Sequence, residues 1–358
     1  MMKRAYNFNA GPAALPEEVL VQAAAEMTNY RGTGMGVMEL SHRSAEYDAL
    51  HEQARADLRE LLAIPDDFAV MFVQGGAGHQ FMMIPANLAM GRPTGYADTG
   101  VWAQKAMQEA GLYGQPYKIC DAAPGGYREI PAWGAVEDDT AYVHITTNNT
   151  IYGTQYREIP AVSVPVVADM SSDIASRPID WTRVAAVYAG TQKNLGPAGM
   201  AVVVMHRDLI RTGNARLPKI LQYRTYADNR SLYNTPPSYA IYILGLVLDW
   251  MKRQGGVTEM QRRAQVKSQL LYTVIDRYPE VFVGHARPEA RSLMNVTFTL
   301  RDRAQEAAFV AAAKAQGFVG VKGHRLVGGL RVSLYNAVPQ AAVEALAQWM
   351  TAYAEAQA

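Results

Sequence analysis

Two hydrophobic periods alternate along the chain. Short, unbroken apolar runs bounded by turn residues recur at Phe68–Val73, Ala141–Ile145, Val164–Ala168, Ala185–Ala189 and Met200–Met205. Runs of that length predict strands buried on both faces, as in a parallel sheet covered by helices. Around them the pattern turns helical. Pro16-Glu17-Glu18 predicts a helix start, with proline in the first turn and acids at the positive end of the dipole. Ser44 to Leu62 predicts a second helix, stopped by Pro65, and Phe81 to Met90 a third. Tyr239 to Arg253 is apolar almost all round, which predicts a buried helix able to bridge two domains, ended by Gly255-Gly256. Beyond it the pattern predicts helix Val257–Tyr278, strand Asn295–Leu300, helix Ala304–Gln316, strand Leu330–Leu334 and a final helix. That helix carries Val343, Leu346, Ala347 and Met350 on one stripe. The expected organisation is an irregular arm (1–15), a large α/β domain (16–255) and a smaller α+β domain (256–358).

Composition narrows the class. Hydrophobic residues make up 49% of 358 and charged residues 19%, enough for a large core and too little charge for a disordered chain. Lys and Arg number 34 against 33 Asp and Glu, with no basic run, so a nucleic-acid partner is not expected. The single cysteine, Cys120, excludes an internal disulfide and a cysteine-based zinc site, and suits a reducing compartment. The seven histidines show no metal-ligand spacing, so no metal is expected. No apolar h-region opens the chain. Its longest apolar run, Ala240–Leu248, falls short of the ~18–20 residues that span a bilayer. A cytoplasmic protein without a membrane partner is the expectation. There is no G-x-S-x-G elbow and no phosphate-binding G-x-x-x-x-G-K loop. Gly32-Thr-Gly34-Met-Gly36 follows no strand and reads as a mobile glycine loop.

One segment carries chemistry. Lys193 lies between two buried strands in Tyr188-Ala-Gly-Thr-Gln-Lys193-Asn-Leu-Gly-Pro. Partial burial and nearby positive charge lower a lysine's pKa and make it a Schiff-base former. Asp169 ends an apolar strand, where a carboxylate can keep a pyridinium nitrogen protonated or simply cap a helix. Gln74-Gly75-Gly76-Ala77-Gly78-His79 joins a strand to a helix, either as a phosphate cradle or as a tight turn. Trp102 can stack on a planar ring or fill the core.

Together with the arm Asn7-Phe-Asn-Ala-Gly-Pro, these segments resemble the phosphoserine aminotransferase family. Val37-Met-Glu-Leu-Ser-His-Arg43, Tyr233-Asn-Thr-Pro-Pro237 and Lys322-Gly-His-Arg-Leu-Val-Gly-Gly-Leu-Arg331 carry the same resemblance. It spans the chain to Asn336. The family belongs to the class V aminotransferases, PLP enzymes of fold type I. The resemblance implies a mainly parallel seven-stranded sheet, pyridoxal 5′-phosphate as cofactor, and a homodimer with shared sites. Lys193 would be the Schiff-base lysine and Asp169 the partner of the pyridine nitrogen. Trp102 would stack on the ring, and Thr150 would bond near its phenolic oxygen. Ala77, Gly78 and Gln192 would hold the cofactor phosphate, with Asn234 and Thr235 reaching it from the other subunit. Arg331 would grip the substrate α-carboxylate. His42, Arg43, His324 and Arg325 would receive the substrate phosphate, the last two from the partner.

The implied reaction passes the amino group of L-glutamate to a phosphorylated 2-oxo acid, 3-phosphohydroxypyruvate, in serine biosynthesis. A second acceptor, 3-hydroxy-2-oxo-4-phosphooxybutanoate, would serve pyridoxine biosynthesis. The chain departs from the family in two places. Gly78-His79 stands where some members carry an arginine, and Asn9-Ala10 where a serine pair is frequent. The alternatives are an alanine–glyoxylate aminotransferase, a cysteine desulfurase and a catalytically dead PLP-binding regulator. Cys120 is a poor nucleophile candidate for the second. The intact Lys193, Asp169 and Arg331 speak against the third.

Overall fold

The computed structural model of the chain describes residues 4–357; residues 1–3 of the expected arm, and residue 358, lie outside the described residues. The arm holds a two-residue strand, β1 (Tyr6–Asn7), and leads to helices α1 (Glu17–Ala25) and α2 (Ala45–Leu61). Ser44 caps α2, its Oγ accepting from the Tyr47 N–H, a contact worth about 1 kcal/mol.

Then come β2 (Phe68–Gln74), α3 (Ala77–Leu88), β3 (Pro93–Asp98), α4 (Val101–Ala110) and β4 (Gln115–Asp121). Strands β5 (Val143–Thr146), β6 (Val166–Asp169), β7 (Ala186–Gly190) and β8 (Met200–His206) complete a seven-stranded sheet. Its order is β2-β8-β7-β6-β5-β3-β4. Only β8 runs against its neighbours, so the expected mainly parallel α/β sheet is present. Two departures have local causes. Helix α3 begins four residues before the expected Phe81, because Gly76, at φ 73°, turns the chain straight from strand into helix. Strand β3 has no apolar run, since its buried positions include Thr94, Gly95 and Asp98.

Helices α5 (Arg207–Thr212), α6 (Tyr223–Asp228) and α7 (Ser238–Arg253) follow. The apolar α7 packs on both α2 and α8 (Gly256–Arg277). The chain continues through β9 (Phe282–Gly284), β10 (Asn295–Leu300), α9 (Glu306–Ala315), β11 (Phe318–Val319), β12 (Leu330–Ser333) and α10 (Gln340–Glu355). An antiparallel sheet, β12-β10-β9, shares a second core with α8, α9 and α10. Val343, Leu346 and Met350 of the α10 stripe are fully buried in it.

The arm is more ordered than its glycines and prolines suggest. Strand β1 pairs in parallel with β11, Tyr6 opposite Phe318, and Phe8 is fully buried in the second core. Burying a phenylalanine contributes about 1.5–3 kcal/mol. The Gly32–Gly36 segment, expected as a mobile loop, is a bonded turn. Asn29 Oδ1 accepts from the Gly34 N–H, and Glu39 Oε2 from the Gly36 N–H. Among the described residues no helix is long and apolar enough to cross a membrane.

Candidate active site

Because every strand but β8 runs the same way, β2, β3, β5, β6 and β7 end at one edge of the sheet. Ligands of open α/β sheets bind at such carboxyl ends. Here the loops after those strands, with Gly199 just before β8, enclose a cavity of about 300 Å³.

Lys193 and Asp169 both line it. Lys193 Nζ donates to Thr150 Oγ1 at 2.7 Å and lies 5.9 Å from the centroid of the Trp102 ring. Burial lowers its pKa to about 8; Asp169 opposes the shift and Arg331 adds to it. At that value about a tenth of the amine is neutral at pH 7. The arm covers this lysine. A Cβ on Gly11, at φ 146°, would stand 3.4 Å from Lys193 Cγ, and the Ala13 N–H bonds the Gln192 carbonyl at 2.9 Å.

Asp169 is 5% exposed, and Ser171 bonds its Oδ1 twice, from N at 2.9 Å and from Oγ at 2.6 Å. Burial nevertheless raises its pKa, outweighing those bonds and Lys193. Its other oxygen has no protein donor among the described residues. Such a carboxylate awaits a cation.

Thr150 joins the lysine to an arginine from the other sheet. Its carbonyl accepts from Arg331 Nη1 at 3.2 Å. Arg331 has no carboxylate partner among the described residues, and its buried Nε is unbonded. The anionic end of the cavity is the start of α3. Gly76 offers no side-chain cap, so Ala77 and Gly78 present first-turn N–H groups at a positive helix end. Trp102 and Gln192 complete the wall, and Trp102 Nε1 is buried without a partner.

The structure therefore brings together Ala77, Gly78, Trp102, Thr150, Asp169, Gln192 and Lys193. Asn234 and Thr235 stand outside the lining. Gln74, just before the glycine loop, holds both, through Asn234 Nδ2 at 3.3 Å and the Thr235 carbonyl at 2.8 Å. His42 and Arg43 also lie outside; His42 Nε2 is buried and unbonded, and Arg43 is exposed. His324 and Arg325 line a second cavity, of about 760 Å³, with Arg303 and Lys322. Burial, then the charges of Arg331, Arg325 and Lys105 of the same chain, lower the His324 pKa. His79 folds back onto the Gly75 carbonyl at 2.7 Å and does not line the cofactor-sized cavity. Thr146, Asn148, Ser171 and Ser172 line it without having stood out in the sequence. The Asp169-Met-Ser-Ser-Asp173 run was the one signal for Ser171 and Ser172, since a small hydroxyl after a strand-end acid can bond it, as Ser171 does.

This donor set suits pyridoxal phosphate. The helix start takes a phosphate, the indole a planar ring, Asp169 a ring N–H and Lys193 an aldehyde. It does not suit sulfur transfer, because burial pushes the Cys120 thiol up to about 11.

The comparisons agree with that set. The family model for class-V aminotransferases matches residues 5–346. A phosphoserine aminotransferase of Lysinibacillus sphaericus is 50% identical over 354 residues, covering 98% of both chains. The Bacillus subtilis phosphoserine aminotransferase is 48% identical over 351 residues, again 98% of both. Among solved structures, phosphoserine aminotransferase from Bacillus circulans subsp. alkalophilus superposes with a TM-score of 0.97 at 46% identity, covering 99% of each chain. The PLP-bound enzyme of Trichomonas vaginalis gives 0.92 at 38%, covering 97% of this chain and 99% of that one.

Proposed function

The chain belongs to the phosphoserine aminotransferase family of the class-V aminotransferases, and from that premise we propose that it passes the amino group of L-glutamate to 3-phosphohydroxypyruvate. The products are O-phospho-L-serine and 2-oxoglutarate. The second acceptor is 3-hydroxy-2-oxo-4-phosphooxybutanoate, converted to 4-phosphohydroxy-L-threonine. Pyridoxal 5′-phosphate is the cofactor. When bound, it supplies an aldehyde to carry the amino group and a ring that draws electrons from the substrate Cα.

The observation that carries the substrate reading is a buried arginine without a carboxylate partner, tied to the lysine through one threonine. Arg331, tied through Thr150 to Lys193, takes the α-carboxylate in a bidentate fork. His324 and Arg325 take the phosphate at the other end. Residues 16–255 thus supply the cofactor set together with His42 and Arg43, and 256–358 supply Arg331, His324 and Arg325. Lys193 Nζ takes the Cα proton and returns one. Asp169 holds the ring nitrogen protonated, Trp102 stacks on the ring, and Ala77, Gly78 and Gln192 hold the cofactor phosphate.

A screen of amine donors against keto acceptors tests this directly. Glutamate with 3-phosphohydroxypyruvate should give the highest kcat/KM. Hydroxypyruvate lacking the phosphate should be at least ~10-fold poorer, since one charged hydrogen bond is worth about 1.5–3 kcal/mol. Preference for alanine and glyoxylate would overturn the reading.

The enzyme acts as a homodimer with shared sites. His42 and Arg43 are assigned to the site of their own chain. His324 and Arg325, with Asn234 and Thr235, are assigned across the dimer contact. Mixing Lys193→Ala subunits with Arg325→Ala subunits should restore activity above either parent, because one hybrid site carries neither change. Mixing Lys193→Ala with Arg43→Ala should restore none. The reverse pattern, with subunit exchange demonstrated, assigns the two pairs the other way round.

A further inference from the structure

Along α4, Lys105 follows Trp102 by one helical turn, and its ammonium lies 5.1 Å from the Trp102 ring centroid. The same ring forms part of the cofactor cavity wall and has Lys193 Nζ at 5.9 Å. Lys105 is exposed and forms no ion pair among the described residues; Glu109, at i+4 on the helix, does not pair with it. Its charge also reaches His324, in the loop that carries Arg325. Arg331, whose Nη1 bonds the carbonyl of Thr150 beside Lys193, and Lys105 both lack a carboxylate partner among the described residues. Like charges left unneutralised repel, and an anion carrying several charges relieves them together.

We propose that Lys105 is a specificity-determining residue whose ammonium, held over the Trp102 ring that walls the cofactor cavity, contacts the phosphate of the acceptor. Its stem stays on the indole while the charged end meets the anion, as long cationic side chains do on aromatic surfaces. The proposal rests on the phosphorylated-acceptor reading above and adds a residue to those that the family resemblance implies.

The test measures kcat/KM for 3-phosphohydroxypyruvate and for hydroxypyruvate in the wild-type holoenzyme and in Lys105→Ala, Lys105→Arg and Lys105→Glu. The ratio of the two values should fall roughly 10-fold in Lys105→Ala, the weight of one charged contact. It should return to within about 3-fold of wild type in Lys105→Arg, and fall further in Lys105→Glu. Inorganic phosphate, tried as a competitive inhibitor, should weaken in the same order. An unchanged ratio in Lys105→Ala, or equal losses on both acceptors, overturns the role of Lys105 while leaving the acceptor reading intact. A wild-type enzyme that does not prefer the phosphorylated acid overturns both.

Discussion

Replacing Lys193 with alanine should lower transamination by at least ~10³-fold, while the protein still retains pyridoxal phosphate. Two contributions are lost together. A positioned general base contributes about 10²–10⁴-fold, and the amine is also the group that captures the cofactor's aldehyde. Retention is expected because the other contacts stay: the start of α3 for the phosphate, Trp102 for the ring, Asp169 for the ring nitrogen. Absorbance and equilibrium dialysis report the bound cofactor, and a coupled glutamate assay the turnover. Near-normal turnover would falsify the assignment. The wild-type lysine carries a second signature. With its pKa lowered to about 8 by burial, capture of the cofactor by the cofactor-free protein should quicken as pH rises through about 8, then level off. A rate still climbing steeply near pH 10 would mean an ordinary, solvated amine.

Asp169→Asn should lower turnover by about 10²–10³-fold, the scale seen when a preorganised charge is removed from a developing transition state. Asparagine keeps the shape and the Ser171 bonds but cannot hold the ring nitrogen protonated. The cofactor-free protein should behave differently. Asp169 has a raised pKa in the fold, so the native state holds its proton more tightly than the unfolded chain. Stability of that kind is present at low pH and is lost as pH rises through the folded value. At neutral pH the buried charge therefore costs stability, and cofactor-free Asp169→Asn should melt no lower than wild type. A lower melting temperature with unimpaired turnover would make Asp169 a structural cap.

The lysine and the strand-end acid were legible because each interrupts an apolar pattern. Lys193 breaks the stretch between two buried strands, and Asp169 stops one. Strand β3 was not legible, because its residues are buried through close backbone packing rather than apolar bulk: a Cβ on Gly95 would stand 3.1 Å from the Val143 side chain. The early start of α3 depended on a positive φ at Gly76, which composition alone does not reveal. The site's assembly was less legible still. Thr150, Lys193 and Arg331 meet from three distant segments, and only the family resemblance paired them beforehand. Lys105 had no signal at all, since a lysine on an exposed helix face looks solvated until its neighbours are known.

The arm gives the enzyme's first dozen residues an unusual exposure to handling. Phe8 is anchored in the core of one sheet, while Gly11 lies against the reactive lysine of the other. A load placed on this segment therefore acts on a lever with one end in each half of the protein. Trimming to Pro12 would open an apolar hole and uncover the lysine in a single cut.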